Sequence, residues 1–213
     1  MTLWDQKFNE LPLIAILRGL VPEEAIDVSE ALFDAGIKIL EVPLNSPNAF
    51  DSIAKIKRRL GDKAIVGAGT VLSSENAEKV HDCGGELIVA PNLNDKVAEI
   101  AKQRSMIYCP GILTPTEAFK ALKLGADALK LFPADAHPPG YIKAIRAVLP
   151  KDTTIIPTGG VEPNNIAEYH TAGADGFGAG SSLFKPGKSL KEIANGARAY
   201  VEAVRALNGQ SEF

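Results

Sequence analysis

The sequence predicts an α/β fold, a (β/α)8 TIM barrel with a short extra helix at its N-terminus. Three observations predict it. A unit made of a short apolar run, a turn and an amphipathic segment recurs along the chain, which is the pattern of parallel strands alternating with helices. Four helix ends repeat visibly, 34-DAGIKILEV, 82-DCGGELIVA, 124-LGADALKLF and 171-TAGADGFGA, each running from a glycine into an apolar run. No Ser/Pro-rich linker or low-complexity block divides the 213 residues, so one domain over 1–213 is expected. The alternative is an open doubly wound sheet, which would use fewer strands and carry a nucleotide fingerprint after the first.

In chain order, the segment before residue 11 is expected to be the extra helix. The strands are expected at 13-LIAILR-18, 38-KILEVP-43, 64-AIVGAGT-70, 86-ELIVAP-91, 106-MIYCPG-111, 127-DALKLFP-133, 154-TIIPTGG-160 and 174-ADGFGAG-180. Pro22, Pro47, Pro115 and Pro163 suit first-turn helix positions, and Ser73, Asn94 and Thr114 suit N-caps. Gly36, Gly84, Gly125 and Gly173 stand where a helix ends in a left-handed residue. The stretch 208-NGQSEF-213 is expected to be a frayed tail.

Composition narrows the function classes. A formal charge of −3 gives no electrostatic reason to expect nucleic acid or an anionic membrane as partner. Cys83 and Cys109 form neither a CxxC nor a zinc spacing, which suits a reducing compartment. The apolar run 11-LPLIAIL-17 follows Asp5 and Glu10 and leads into Arg18; it is too short for a membrane span and reads as no signal peptide. A cytoplasmic protein is expected. His81, His137 and His170 show no ligand spacing, so no metal is expected.

Barrel strands alternate between interior and helix-facing side chains, and active sites form at their C-terminal ends. Alternation sends Leu129 and Leu131 outward and Lys130 inward, beside Phe132. It likewise sends Leu40 and Val42 outward and Glu41 inward. Both polar residues stand five positions after a helix-ending glycine, Gly125 or Gly36, which places them at similar depth. Arg18, Thr70, Pro91 with Asn92, and Thr158 add further groups at strand ends. A buried acid–lysine pair is commonly no better for stability than an apolar pair. One reading is an ion pair that only plugs the barrel mouth. The other is chemical: a desolvated lysine is partly neutral and attacks carbonyls, while a nearby carboxylate moves protons. That is the equipment of Schiff-base carbon–carbon chemistry.

Two glycine-rich turns, 158-TGGV-161 and 178-GAGSS-182, each lead toward an expected helix. Backbone N–H groups there can meet an anion closely, and barrels commonly bind phosphate after strands seven and eight. The alternative is that these glycines only make tight turns. The shorter 67-GAGT-70 is expected to serve close packing, with a Thr70 hydroxyl at the mouth. Cys109 is expected to pack, since no histidine is placed to activate it.

These pieces, 15-AILRG-19, 40-LEVPLNSP-47, 66-VGAGTVL-72, 88-IVAPN-92, 129-LKLFPA-134, 157-PTGGV-161 and 180-GSSLF-184, resemble the class I aldolases that cleave 2-keto-3-deoxy-6-phospho sugar acids. The resemblance covers nearly the whole chain. It implies Lys130 as the Schiff-base lysine, Glu41 as acid/base, and Thr70, Pro91 and Phe132 around the pyruvyl group. It implies Gly159, Gly160, Gly180 and Ser181 at the phosphate, and Arg18 at Glu41 or the substrate carboxylate. It also implies a homotrimer with no cofactor. Two types within the family differ at C4 of the substrate. The stretch 43-PLNSP-47 resembles the phosphogalactonate type, which lacks an arginine at Asn45, whereas Thr158 resembles the phosphogluconate type. The longer motif carries more weight, because losing an arginine changes how a carboxylate is held. Activity on both epimers stays open, as do two other classes: a non-catalytic phospho-ligand barrel and an acid/base phosphosugar isomerase.

Overall fold

A computed structural model describes residues 1–208. The first helix, α1 (Leu3–Glu10), starts at a capping box in which Thr2 accepts from the Asp5 N–H while the Asp5 side chain accepts from the Thr2 N–H. It is the extra helix expected before residue 11.

Strands and helices then alternate: β1 (Leu13–Ile16), α2 (Ala25–Ala35), β2 (Ile39–Pro43), α3 (Ala49–Leu60), β3 (Ile65–Gly69), α4 (Ser74–Asp82), β4 (Leu87–Val89), α5 (Asp95–Gln103) and β5 (Ile107–Cys109). The chain continues through β6 (Gly111–Ile112), α6 (Pro115–Lys123), β7 (Leu129–Leu131), α7 (Gly140–Arg146), β8 (Ile155–Pro157), α8 (Ile166–Thr171), β9 (Phe177–Ala179) and α9 (Leu190–Asn208). The tail expected at 208–213 lies outside the described residues, apart from Asn208, which ends α9.

Local chemistry accounts for most boundaries. Ser73, Asn94 and Thr114 each cap a helix through the side-chain oxygen. Pro115 occupies the first turn of α6, where a missing N–H costs nothing. Pro22, Pro47 and Pro163 fall instead in the turns just before α2, α3 and α8, a short displacement from the expectation. Gly36, Gly84, Gly125 and Gly173 all have positive φ, as a left-handed helix stop requires.

The strands form two parallel sheets rather than a single one. Six strands run in the order β5-β4-β3-β2-β1-β9, and three in the order β6-β7-β8. The fifth expected strand, 106–111, is cut in two at Pro110, because proline has no N–H to give the ladder. Its carbonyl still accepts from Lys130 N–H at 2.9 Å. On the other side Thr158, just after β8, bridges in parallel to Gly178 in β9.

The curled strands separate two apolar layers. Leu40, Val42, Leu129 and Leu131 join the larger core under the helices. Ile14, Ile39, Ile65, Leu87, Cys109, Ala128 and Ile156 form a second cluster on the concave side, which Trp4 and Phe8 of α1 cover. Thus α1 seals the end where strands begin and leaves the other end for polar groups. Among the described residues, no helix is long and apolar enough to cross a membrane.

Candidate active site

Lys130 is the middle residue of β7, registered between Gly111 of β6 and Ile156 of β8. Glu41 is the middle residue of β2, registered between Ile16 of β1 and Gly67 of β3. Both are buried, at 6% and 1% relative exposure, and both line one small pocket with Ile14, Ile16, Val89, Ile156 and Thr158. Strand alternation therefore puts them where the sequence reading expects. A wider groove lies at the opposite end, beside Trp4 and Asp127, and contains neither residue.

They are not an ion pair. Among the described residues, no nitrogen of Lys130 comes within the 4.0 Å salt-bridge distance of Glu41, and Glu41 Oε2 is buried without a hydrogen-bond partner. The alternative reading, a salt bridge that only plugs the barrel mouth, fails on this geometry. Burial pushes the Glu41 carboxyl up to about 7, opposed by the nearby charges of Lys130 and Arg18. Burial pushes the Lys130 amine down, opposed by Glu41 and reinforced by Arg18. Each group is thereby brought toward its neutral form, since charge is costly in an apolar pocket without a bonded partner.

Glycine makes room for the carboxylate. A Cβ at Gly69 would land on the Glu41 carboxyl oxygens, and one at Gly67 would land on the Leu87 backbone. The sequence reading assigned 67-GAGT-70 to close packing, which Gly67 bears out, but missed that Gly69 houses the acid. The signal was present in the second glycine, two residues along the same inward face.

Phe132 lies beside Lys130, with the ammonium 5.2 Å from the ring centroid. Thr158 is buried in the pocket wall. Thr70, half-buried with φ 56°, and Pro91, also half-buried, follow β3 and β4 on the rim without lining the pocket. Arg18 is exposed in the turn after β1, where its charge reaches both ionisable groups without a hydrogen bond to either. Cys109 lines the pocket, and burial pushes its thiol well up, so it packs as expected rather than acting as a thiolate.

The two glycine turns lie side by side at the same end. Gly159 and Gly160 have φ 99° and 66°. Among the described residues, the N–H groups of Gly159, Gly160, Gly180 and Ser181 have no hydrogen-bond acceptor. The second turn leads toward a helix as expected, but at a distance. Residues 181–183 form a turn closed by N–H groups of Leu183 and Phe184 on the Gly180 carbonyl, and α9 begins only at Leu190. Any anion there would meet free amides, not a helix terminus.

The family model for KDPG and KHG aldolase matches residues 4–199. The chain is 48% identical over 202 residues to the 2-dehydro-3-deoxy-6-phosphogalactonate aldolase of Escherichia coli (strain K12), covering 95% of this chain and 97% of that one. It is 46% identical over 200 residues to the probable enzyme of that name from Rhizobium meliloti (strain 1021), covering 94% of each. Among solved structures, native KDPGal superposes with a TM-score of 0.92 at 47% identity, covering 94% of this chain and 97% of that one. On this coverage, which takes in every strand and both glycine turns, the chain belongs to the KDPG and KHG aldolase family.

Proposed function

We propose that the chain is a Schiff-base aldolase that cleaves 2-dehydro-3-deoxy-6-phosphogalactonate to pyruvate and D-glyceraldehyde 3-phosphate. The observation that carries the mechanism is the shared burial of Lys130 and Glu41 in one apolar pocket without an ion pair. Lys130, partly neutral, attacks the C2 ketone, and loss of water leaves an iminium. Glu41, directly or through one water, takes the C4 hydroxyl proton. The C3–C4 bond then breaks, its electrons move into the iminium to give an enamine, and the aldehyde leaves. A proton returned to C3 restores the iminium, and water releases pyruvate and the free amine. These steps use only side chains and water.

Around that centre, Phe132, Thr158, Thr70 and Pro91 are assigned to the pyruvyl part, and Arg18 to its carboxylate or to Glu41. The free amides at Gly159, Gly160, Gly180 and Ser181 are assigned to the 6-phosphate. The continuity across Pro110 and the Thr158–Gly178 bridge support reading the two sheets as one eight-stranded barrel and the chain as one domain. A homotrimer, implied by the family resemblance, completes the proposal.

Asn45 and the relatives' names favour the galactonate epimer. Thr158 in the pocket wall favours the second reading, activity on the gluconate epimer. Comparing kcat/KM on the two C4 epimers, with pyruvate release as readout, decides between them. A higher value for the galactonate substrate supports the proposal, and a higher value for the gluconate substrate overturns its substrate assignment.

A further inference from the structure

The two glycine turns come from different strands, yet one side chain joins them. Tyr200 belongs to α9 and is almost fully buried. Its hydroxyl donates to the Val161 carbonyl, in the turn after β8, at 2.6 Å. The same oxygen is hydrogen-bonded to Ser182 Oγ, in the turn after β9. Ser182 Oγ also stands 3.4 Å from the Val161 carbonyl, closing a three-membered network. From the outer side, the Lys188 ammonium donates to the carbonyls of Ser182 and Leu183.

We propose that Tyr200 is a positioning residue for phosphate binding, holding the 158–161 and 180–183 turns at the separation where their free amides converge on one anion. This rests on the phosphate reading above. The physical reason is that local contacts, the Asn165 amide on the Gly160 carbonyl in the first turn and the Gly180 carbonyl contacts in the second, shape each turn but do not set its free amides relative to those of the other. Gly159 and Gly160 are conformationally permissive, and the second turn leads into no helix until Leu190. Amides left without internal partners bind an anion well only if they are held in place beforehand. A phenol anchored in the core by α9 ties both turns to a rigid element and gives the Val161 carbonyl the shorter of its two hydrogen bonds, 2.6 Å against 3.4 Å from Ser182 Oγ.

The test compares wild type with Tyr200→Phe, which keeps the ring in its buried slot and removes one oxygen. Each is measured on the 6-phosphorylated substrate and on its unphosphorylated analogue. The preference for the phosphorylated substrate should fall about tenfold in the variant, the size of one buried hydrogen bond. Turnover of the unphosphorylated analogue and pyruvate imine formation should stay unchanged. As a second measurement, inorganic phosphate alone should raise the Tm of wild type more than that of the variant, since only a bound anion stabilises the fold. A merely structural tyrosine would lower Tm but leave the preference and the phosphate-dependent shift intact, and that result would overturn the inference. If wild type itself shows no preference for the phosphorylated substrate, the phosphate reading fails first, and this inference fails with it.

Discussion

Glu41 and Lys130 share one small, largely apolar pocket yet make no ion pair, and Glu41 Oε2 has no hydrogen-bond partner among the described residues. A stability device would close that contact, because an uncompensated buried charge is costly. Leaving it open brings both groups toward their neutral forms.

Glu41→Gln should still form an imine with pyruvate but lose ~10²–10⁴-fold in cleavage rate, the usual worth of general acid–base assistance. Near wild-type cleavage would mean that another group carries the proton.

The pH profile should show the same carboxyl. Its value stands near 7 against an ordinary 4.5, and the base form is the ionised one. Cleavage should therefore rise with pH through about 7, and Glu41→Gln should lack that acid limb. The stability sign is opposite. A folded value above the unfolded one means that this carboxyl's contribution is fully present below 4.5 and is lost as pH rises through about 7. Urea titrations should thus find Glu41→Gln gaining on wild type across that window, by up to ~3 kcal/mol.

Gly69→Ala should imitate Glu41→Gln in activity. The added methyl would land on the Glu41 carboxylate, displacing the acid while leaving Lys130 on its own strand. Imine formation should persist and cleavage should fall at least ~10²-fold. Unchanged cleavage would show that Glu41 need not sit in that niche.

Removing the substrate phosphate should lower kcat/KM by orders of magnitude, because binding energy from a remote group positions the reacting centre. Gly160→Val should do the same. A branched residue is strained at φ 66°, and its Cβ would stand 2.6 Å from that of Asp135. Equal turnover with and without phosphate would reduce these glycines to turn-makers.

Much of this site is legible in the sequence because strand periodicity is a geometric constraint. One outward leucine on each side of Lys130 and the helix-ending glycine five residues earlier suffice to place it, and Glu41 follows by the same count. Relations between strands are not legible in the same way. Alternation cannot say whether two inward residues touch, so the missing Glu41–Lys130 ion pair emerges only from the tertiary structure. Nor can local pattern show that Gly69 houses a carboxylate from β2, or that Tyr200 reaches two turns from α9. The split at Pro110 is readable in principle, since proline cannot donate to a ladder, but flanking apolar residues hide it. The gap between 178-GAGSS-182 and the start of α9 at Leu190 shows the limit of glycine as a helix signal: it marks a turn and leaves the distance to the next element open.

The central claim is that Lys130 forms the imine, and borohydride reduction in the presence of pyruvate tests it most directly. Reduction traps only an imine, so the account predicts irreversible inactivation with one labelled residue, Lys130, identified by peptide mass. Lys130→Arg should take no label and show no activity, since a guanidinium stays protonated and cannot attack a carbonyl. Labelling at another lysine, or full activity after treatment, would contradict it.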